Sequence, residues 1–167
     1  HWRVVFNGNN YCESSQEELT ARGIWRIDSG VEAITRFTAD KNVKLFEKLG
    51  VFTKDELKAR QDVMHVHYTG TVEMEALTLI DLLNMHIIPS IKAAGVGPLD
   101  ELKAMVPKLK AALAEIHDAE SPYEKAKLAR VLRLETMVDM RDVCDEAEGV
   151  CPYNLWSLAT YKELLFL

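Results

Sequence analysis

The sequence predicts an all-α fold: a helical bundle around one long helix over about residues 54–94. Two further long helices, a short extended N-terminal arm and an aromatic C-terminal tail complete it. Three observations carry that prediction. No cluster of loop-forming residues interrupts Lys54 to Ala94. Leu99, Leu102, Val106, Leu109, Leu113 and Ile116 recur at steps of three and four, the period of one helix face. Between Asp40 and Arg60 two helices meet across Gly50, which can take the left-handed C-terminal cap at little cost. Thr53 with Glu56 then forms a capping box for the second of them.

Taken in order, Arg3-Val4-Val5-Phe6 reads as a short strand or extended arm, bounded by the turn residues Asn7-Gly8-Asn9-Asn10. Ser14 and Ser15 offer caps, with Glu17 and Glu18 three residues on, for a short helix ending near Gly23. Ile24 to Gly30 is expected as loop and Val31 to Phe37 as a short helical turn. Thr38 starts the next helix, with Val43, Phe46 and Leu49 facing one side.

The long helix then spans roughly 60 Å at 1.5 Å per residue. Gly70 is a weak point, and Pro89 should bend the last turns by removing a backbone donor. Its first half is amphipathic, with Leu57, Val63 and Met64 on one face. Its second half, Met74 to Ile91, is apolar nearly all round, as in a helix contacted from several sides. The sharper alternative is that part of this surface meets another protein. Gly95-Val96-Gly97-Pro98 makes the next break, with Pro98 suited to the first helical position. Pro107 should kink the helix that follows. Ser121-Pro122-Tyr123-Glu124 is a second capping box, opening a helix to about Glu148. The two later helices should pack antiparallel on the long one. The organisation is one domain: residues 1–30 as arm and short helix, 31–151 as bundle, 152–167 as tail.

Composition bounds the function. The chain has 167 residues, 48% apolar and 28% charged, enough for one core burying roughly 70% of the unfolded surface. Its net charge of −6 argues against nucleic acid and against a polybasic membrane site. The longest uncharged apolar-rich run in the long helix, Leu82 to Ile91, is far short of the roughly 20 residues that span a bilayer. Cys12, Cys144 and Cys151 are too few for a disulfide framework, which favours a reducing, intracellular compartment; a Cys144–Cys151 pairing is the less favoured option.

No constellation suits catalysis. His65 and His67, two apart, point to nearly opposite sides of a helix and cannot share an ion. They, His86 and His117 read as surface or packed helix residues, and the sequence gives no reason to assign any of them a pigment. Gly95-x-Gly97 lacks the rest of a phosphate loop. We therefore expect no catalytic, cofactor-binding or metal-ligating residue, and the candidates are interaction residues. Val4, Phe6 and Tyr11 lie in an arm whose free edge could recruit another chain. Asp142 and Asp145 belong to an acidic run (Asp139 to Glu148) at the C-terminal end of the last long helix, where the macrodipole disfavours negative charge. It is either a solvated face or a dock for a basic surface. Trp156, Tyr161 and Phe166 belong to a tail that is either a core-closing clamp or an exposed anchor.

The chain resembles the C-terminal region of type III glutamine synthetases. The resemblance lies in Val5-Phe6-Asn7-Gly8-Asn9-Asn10-Tyr11, Glu17-Glu18 and Arg22-Gly23, and is densest over residues 40–60. It continues in Glu75-Ala76-Leu77-Thr78-Leu79-Ile80-Asp81, Ile88-Pro89, Leu155-Trp156, Thr160-Tyr161 and Leu164-Leu165-Phe166. Ser157 and Ala159 stand where the family usually has prolines, which loosens the tail's turn. The resemblance implies that the ATP, glutamate and metal sites lie in a catalytic domain that would precede residue 1. Two functions follow as expectations. One is a non-enzymatic, glutamine synthetase-like linker or scaffold that joins other protein subunits. Its narrowest form is a linker in a plastid photosystem–light-harvesting antenna complex, on the stromal side of the thylakoid, since similar sequences occur in algae. A start at His1 and an end like the family's own fit a processed, stand-alone chain. The other is the C-terminal segment of an ATP-dependent glutamate–ammonia ligase. The partner and the oligomeric state are not specified.

Overall fold

Four helices of this chain begin where a side-chain hydroxyl catches an orphan backbone N–H. The computed structural model describes residues 2–166, the side chains of residues 2 and 161 excepted. Among these residues it contains helices and turns, with no strand. α1 is Glu13–Ala21, α2 Gly30–Thr35 and α3 Asp40–Lys48. The long rod follows as α4, Lys54–Leu82, a π-helical turn, Leu83–Ile87, and α5, Ile88–Ala94. α6 is Leu99–Asp118. A third long helix is built from α7, Pro122–Val131, a second π turn, Leu132–Thr136, and α8, Met137–Val150. α9, Tyr161–Leu165, lies in the tail.

The hydroxyls of Ser29, Thr53, Ser121 and Thr160 each accept the backbone N–H three residues on. At Thr53, Ser121 and Thr160 the third residue is Glu, whose carboxylate accepts the cap's own N–H in return. In the Thr53 box that return bond is 2.8 Å. Upstream, Gly50 at φ +65° ends α3. Its N–H reaches the Glu47 carbonyl and that of Val51 reaches Phe46, both at 3.0 Å, a Schellman closure.

Several expectations are corrected. Residues 3–6 do not form a strand: Trp2–Val4 is a 3₁₀ turn. Arg22 holds the segment on α1, donating Nη1–H to the Val5 carbonyl at 3.0 Å and placing its guanidinium 6.0 Å over the Phe6 ring. α1 starts at Glu13, not at a serine cap; the Ser14 and Ser15 hydroxyls are drawn to Cys12 Sγ, 3.4 and 2.9 Å away. α3 starts at Asp40, because the Thr38 hydroxyl is spent on Gln61 Oε1 of the rod at 2.6 Å. Of the α3 stripe, Val43 is buried while Leu49 is exposed. Pro98 is the residue before α6 rather than its first, its carbonyl accepting the first helical N–H, from Leu102. α6 continues through Pro107.

The rod runs unbroken through Gly70. The disturbance expected at Pro89 takes the form of the π turn just before it. Proline offers no N–H to the carbonyl four residues back and its ring crowds that carbonyl. Bonds to the fifth residue, such as Ile88 N–H to the Leu83 carbonyl, reroute the ladder around the conflict. By length and apolar content alone Lys54–Ala94 would also pass for a membrane-crossing helix. Within this bundle it supplies the buried seam Val72, Ala76, Ile80, Leu83, Ile87 and Ile91.

Against that seam α6 packs Leu102, Met105, Leu109, Leu113 and Ile116, and the third helix packs Ala129, Leu132, Met140 and Ala147. Short links, residues 95–98 and 119–121, make the three helices an up–down–up array. At the other end α2 is tied in by polar contacts. His65 is fully buried with Nε2 3.3 Å from the Val31 carbonyl, and Tyr123 donates to Glu32 Oε1 at 2.7 Å.

Two glycines should respond to alanine in opposite directions. Gly70 lies in the rod with no atom within 4 Å of where a Cβ would sit. Gly70→Ala should raise stability by about 0.5–1 kcal/mol. Gly97 has φ +94°, and a Cβ there would lie 3.0 Å from Val150 Cγ2. Gly97→Ala should lower stability by about 1–3 kcal/mol. Urea unfolding of the two variants checks both signs.

Candidate interaction site

Two long partner helices cannot enclose the rod on every side, so the apolar surface of its second half is shared between core and solvent. Val63, His67, Gly70, Met74, Leu77 and Asp81 follow one another at alternating steps of four and three, and Met85 lies four beyond. That is the spacing of a seam on one helix face. From Gly70 on the seam points away from the bundle, with Met74, Leu77 and Met85 exposed by 64, 54 and 67%, while Val63, itself 67% exposed, and His67 line the groove beside the third helix. A second row, Val131, Leu134 and Val138, is exposed on the third helix. The groove between rod and third helix is edged by Ile34, Met64 and Tyr68 and spanned by Arg133, paired with Glu75 at 3.1 Å.

A cavity of about 480 Å³ opens where the tail crosses the rod and α8. Leu79, Leu82, Met137, Cys144, Trp156 and Leu164 line it, with Asp145 at its wall. Asp145 is paired with Arg141 at 3.5 Å. The structure therefore brings Asp145 and Trp156 together at one site, while Asp142 lies on the exposed outer side of α8. Val4, Phe6 and Tyr11 lie apart from this site, in the segment that precedes α1. Val4 and Tyr11 are exposed, whereas Phe6 is half-buried over Gly8.

The tail divides the clamp and anchor roles by position. Trp156 and Leu158 pack on the core, with His86 Nδ1 3.0 Å from Ser157 Oγ. Tyr153, Leu165 and Phe166 are exposed. Tyr161 begins α9, but its side chain lies outside the described ones. Tyr153 donates to Glu163 Oε1 at 2.8 Å. The Thr160 N–H, then the Tyr153 and Thr160 hydroxyls, hold the Glu163 carboxyl below the usual carboxylate range. This latch holds through the usual carboxylate range and is lost as pH falls through the lowered value beneath it.

Sequence reasoning named the acidic run, the tail and the rod's apolar second half as surfaces for another protein, but not which rod residues stay exposed, and it missed the row on the third helix. The signal was available: a helix apolar all round with only two long partners must leave one side uncovered.

Among the described residues no three His, Cys, Asp or Glu side chains gather where they could hold a metal ion. His117 Nε2 lies 3.1 Å from Glu73 Oε1, and His67 faces the groove beside Met64. All three thiols are free. Burial pushes Cys144 up to about 11, with the Asp145 charge adding. Burial also raises Cys151. The Ser14 and then the Ser15 hydroxyl lower Cys12.

Residues 1–96 match the glutamine synthetase C-terminal domain. The chain is 25% identical to a type-3 glutamine synthetase of Dictyostelium discoideum, over 100% of its own length and 27% of that protein's. It is 25% identical to a glutamine synthetase of Butyrivibrio fibrisolvens, over 99% of its length and 28% of the relative's. A glutamine synthetase of Bacteroides fragilis is 24% identical, over 98% and 27%. The chain thus spans about a quarter of the length of the curated relatives it matches.

The thiols report on the geometry directly, because the thiolate is the reactive form. Under limiting iodoacetamide at mildly alkaline pH, Cys12 should be alkylated first, Cys151 more slowly and Cys144 last, as read by peptide mass spectrometry. Labelling of Cys144 in the folded chain as fast as Cys12 would contradict its burial beneath the tail.

Proposed function

The chain belongs to the glutamine synthetase C-terminal domain family, and from that premise we propose that it is a non-enzymatic helical module linking or scaffolding other protein subunits in a larger assembly. The observation that carries this reading is the outward seam of the rod. The bundle builds a continuous buried core from its own helices, yet Met74, Leu77 and Met85 stand in solvent at seam spacing. Exposed apolar side chains in a row are what a helix-on-helix contact uses.

Catalysis of the synthetase kind needs carboxylates converging on divalent cations, with arginines and backbone donors on phosphate. The carboxylates of this chain are spread instead over caps, surface pairs and the α8 surface. Three free thiols fit the reducing compartment expected from the sequence. The narrower reading places the module in a plastid antenna–photosystem complex, on the stromal side of the thylakoid. It comes from the sequence resemblance and not from the matched relatives, which belong to Dictyostelium discoideum, Butyrivibrio fibrisolvens and Bacteroides fragilis.

A second reading is favoured by the share of the relatives that is matched, about a quarter of their length. In it the chain is the C-terminal segment of an ATP-dependent glutamate–ammonia ligase, and the seam lies against the rest of that enzyme.

The two readings differ in the mass of the native polypeptide. The module reading predicts a cellular species near the 18.9 kDa of this chain, recovered in a larger complex, with no glutamine formed from glutamate, ammonia and MgATP by the purified chain. A polypeptide several times heavier supports the ligase. Turnover by the chain alone overturns the module.

A further inference from the structure

The outer ridge of the third helix combines two properties that neither the core nor the tail requires. Val131, Leu134 and Val138 follow at steps of three and four, 43, 47 and 51% exposed. Asp142 continues the ridge four residues on, and Asp145, three further, borders it from the wall of the tail cavity; both are exposed. Glu135, Asp139 and Glu146 flank it, also exposed. Arg141 is the one cation between Glu135 and Val150, and its pairing with Asp145 is a surface contact, 3.5 Å long. The ridge is therefore apolar toward α7 and anionic toward the end of α8. The helix macrodipole adds its own negative pole at that same end.

From this charge pattern we propose that the α7–α8 ridge docks a basic amphipathic helix of another protein, its apolar residues on Val131, Leu134 and Val138 and its Lys or Arg residues on Asp142 and Asp145. The proposal rests on the reading of the chain as an interaction module and names the partner chemistry of one of its surfaces. A second copy of this chain is a poor occupant. Pairing two such ridges in parallel sets carboxylates against carboxylates, and pairing them antiparallel sets carboxylates against apolar side chains. Nucleic acid and anionic lipid headgroups are repelled by the same charges. A cationic helix instead gains opposite charges at one end and apolar burial at the other.

The test uses the full chain and a fluorescein-labelled synthetic helical peptide, with Leu at three-and-four spacing in its first half and Lys in its second. One control peptide carries Glu for Lys, and another scrambles the same composition. Fluorescence anisotropy should show saturable binding of the Lys peptide alone, weakening steeply with added salt. Affinity should fall roughly tenfold or more in Asp142→Asn/Asp145→Asn and again in Leu134→Ser/Val138→Ser. The aspartate variant should keep or raise its melting temperature, because it relieves negative charge at a helix C-terminus, so its loss of binding cannot be loss of fold.

Wild-type affinity in the aspartate variant overturns the proposal, as does equal binding of the scrambled peptide. A dimer of the chain that Leu134→Ser/Val138→Ser dissolves overturns it too, by making a second copy the occupant. Failure here is separable from failure of the module reading: peptide binding can be absent while the chain still shows no turnover. Turnover would remove the module without altering the peptide result.

Discussion

One-sided burial of the rod governs the rest of the structure. A helix of 41 residues whose second half is apolar nearly all round needs cover on several sides, and two long helices are all this bundle supplies. The seam from Val72 to Ile91 closes onto α6 and the third helix and is nearly dry. The opposite seam, Met74 to Met85, is left open. Sequence and packing are therefore satisfied on one face and unsatisfied on the other, and function is sought on the second.

Punctuation matters as much as packing. Glu56, Glu124 and Glu163 each close a capping box. The capping devices fix where chains enter the bundle, so the rod's phase is set before Leu57 is reached. Rotating the rod by one residue, about 100°, would move its buried seam off the core. The two π turns work within this constraint. The one before Pro89 lets the rod continue to Ile91 without a free end inside the core. The turn at Leu132–Thr136 has no proline to explain it, yet Leu132 within it remains buried.

Much of this was legible in the sequence, wherever one local rule acted unopposed. Gly50, the Thr53–Glu56 and Ser121–Glu124 boxes and the spacing from Leu99 to Ile116 fixed three long helices and their partners. The failures are tertiary. Thr38 reads as a cap until Gln61, twenty-three positions on, takes its hydroxyl. Residues 3–6 read as strand because valines favour strands, but no second strand exists among the described residues to pair with them. Phe6 lies under Arg22 instead. The candidate site was legible as a list and not as a place. Asp145 and Trp156 share a cavity that no spacing rule reveals, and neither the rod's exposed residues nor the row on the third helix was singled out, because periodicity alone cannot distinguish a covered face from an open one.

The central claim is that the rod's outer seam contributes nothing to the stability of this bundle. Replacing Met74, Leu77 and Met85 together by Ser and measuring equilibrium unfolding in urea tests it most directly. The account predicts a midpoint and slope close to those of the parent chain, within about 1 kcal/mol in total. A loss of several kcal/mol, on the order of what a single buried Leu→Ala change costs, would contradict it by showing that the seam is already covered within the chain.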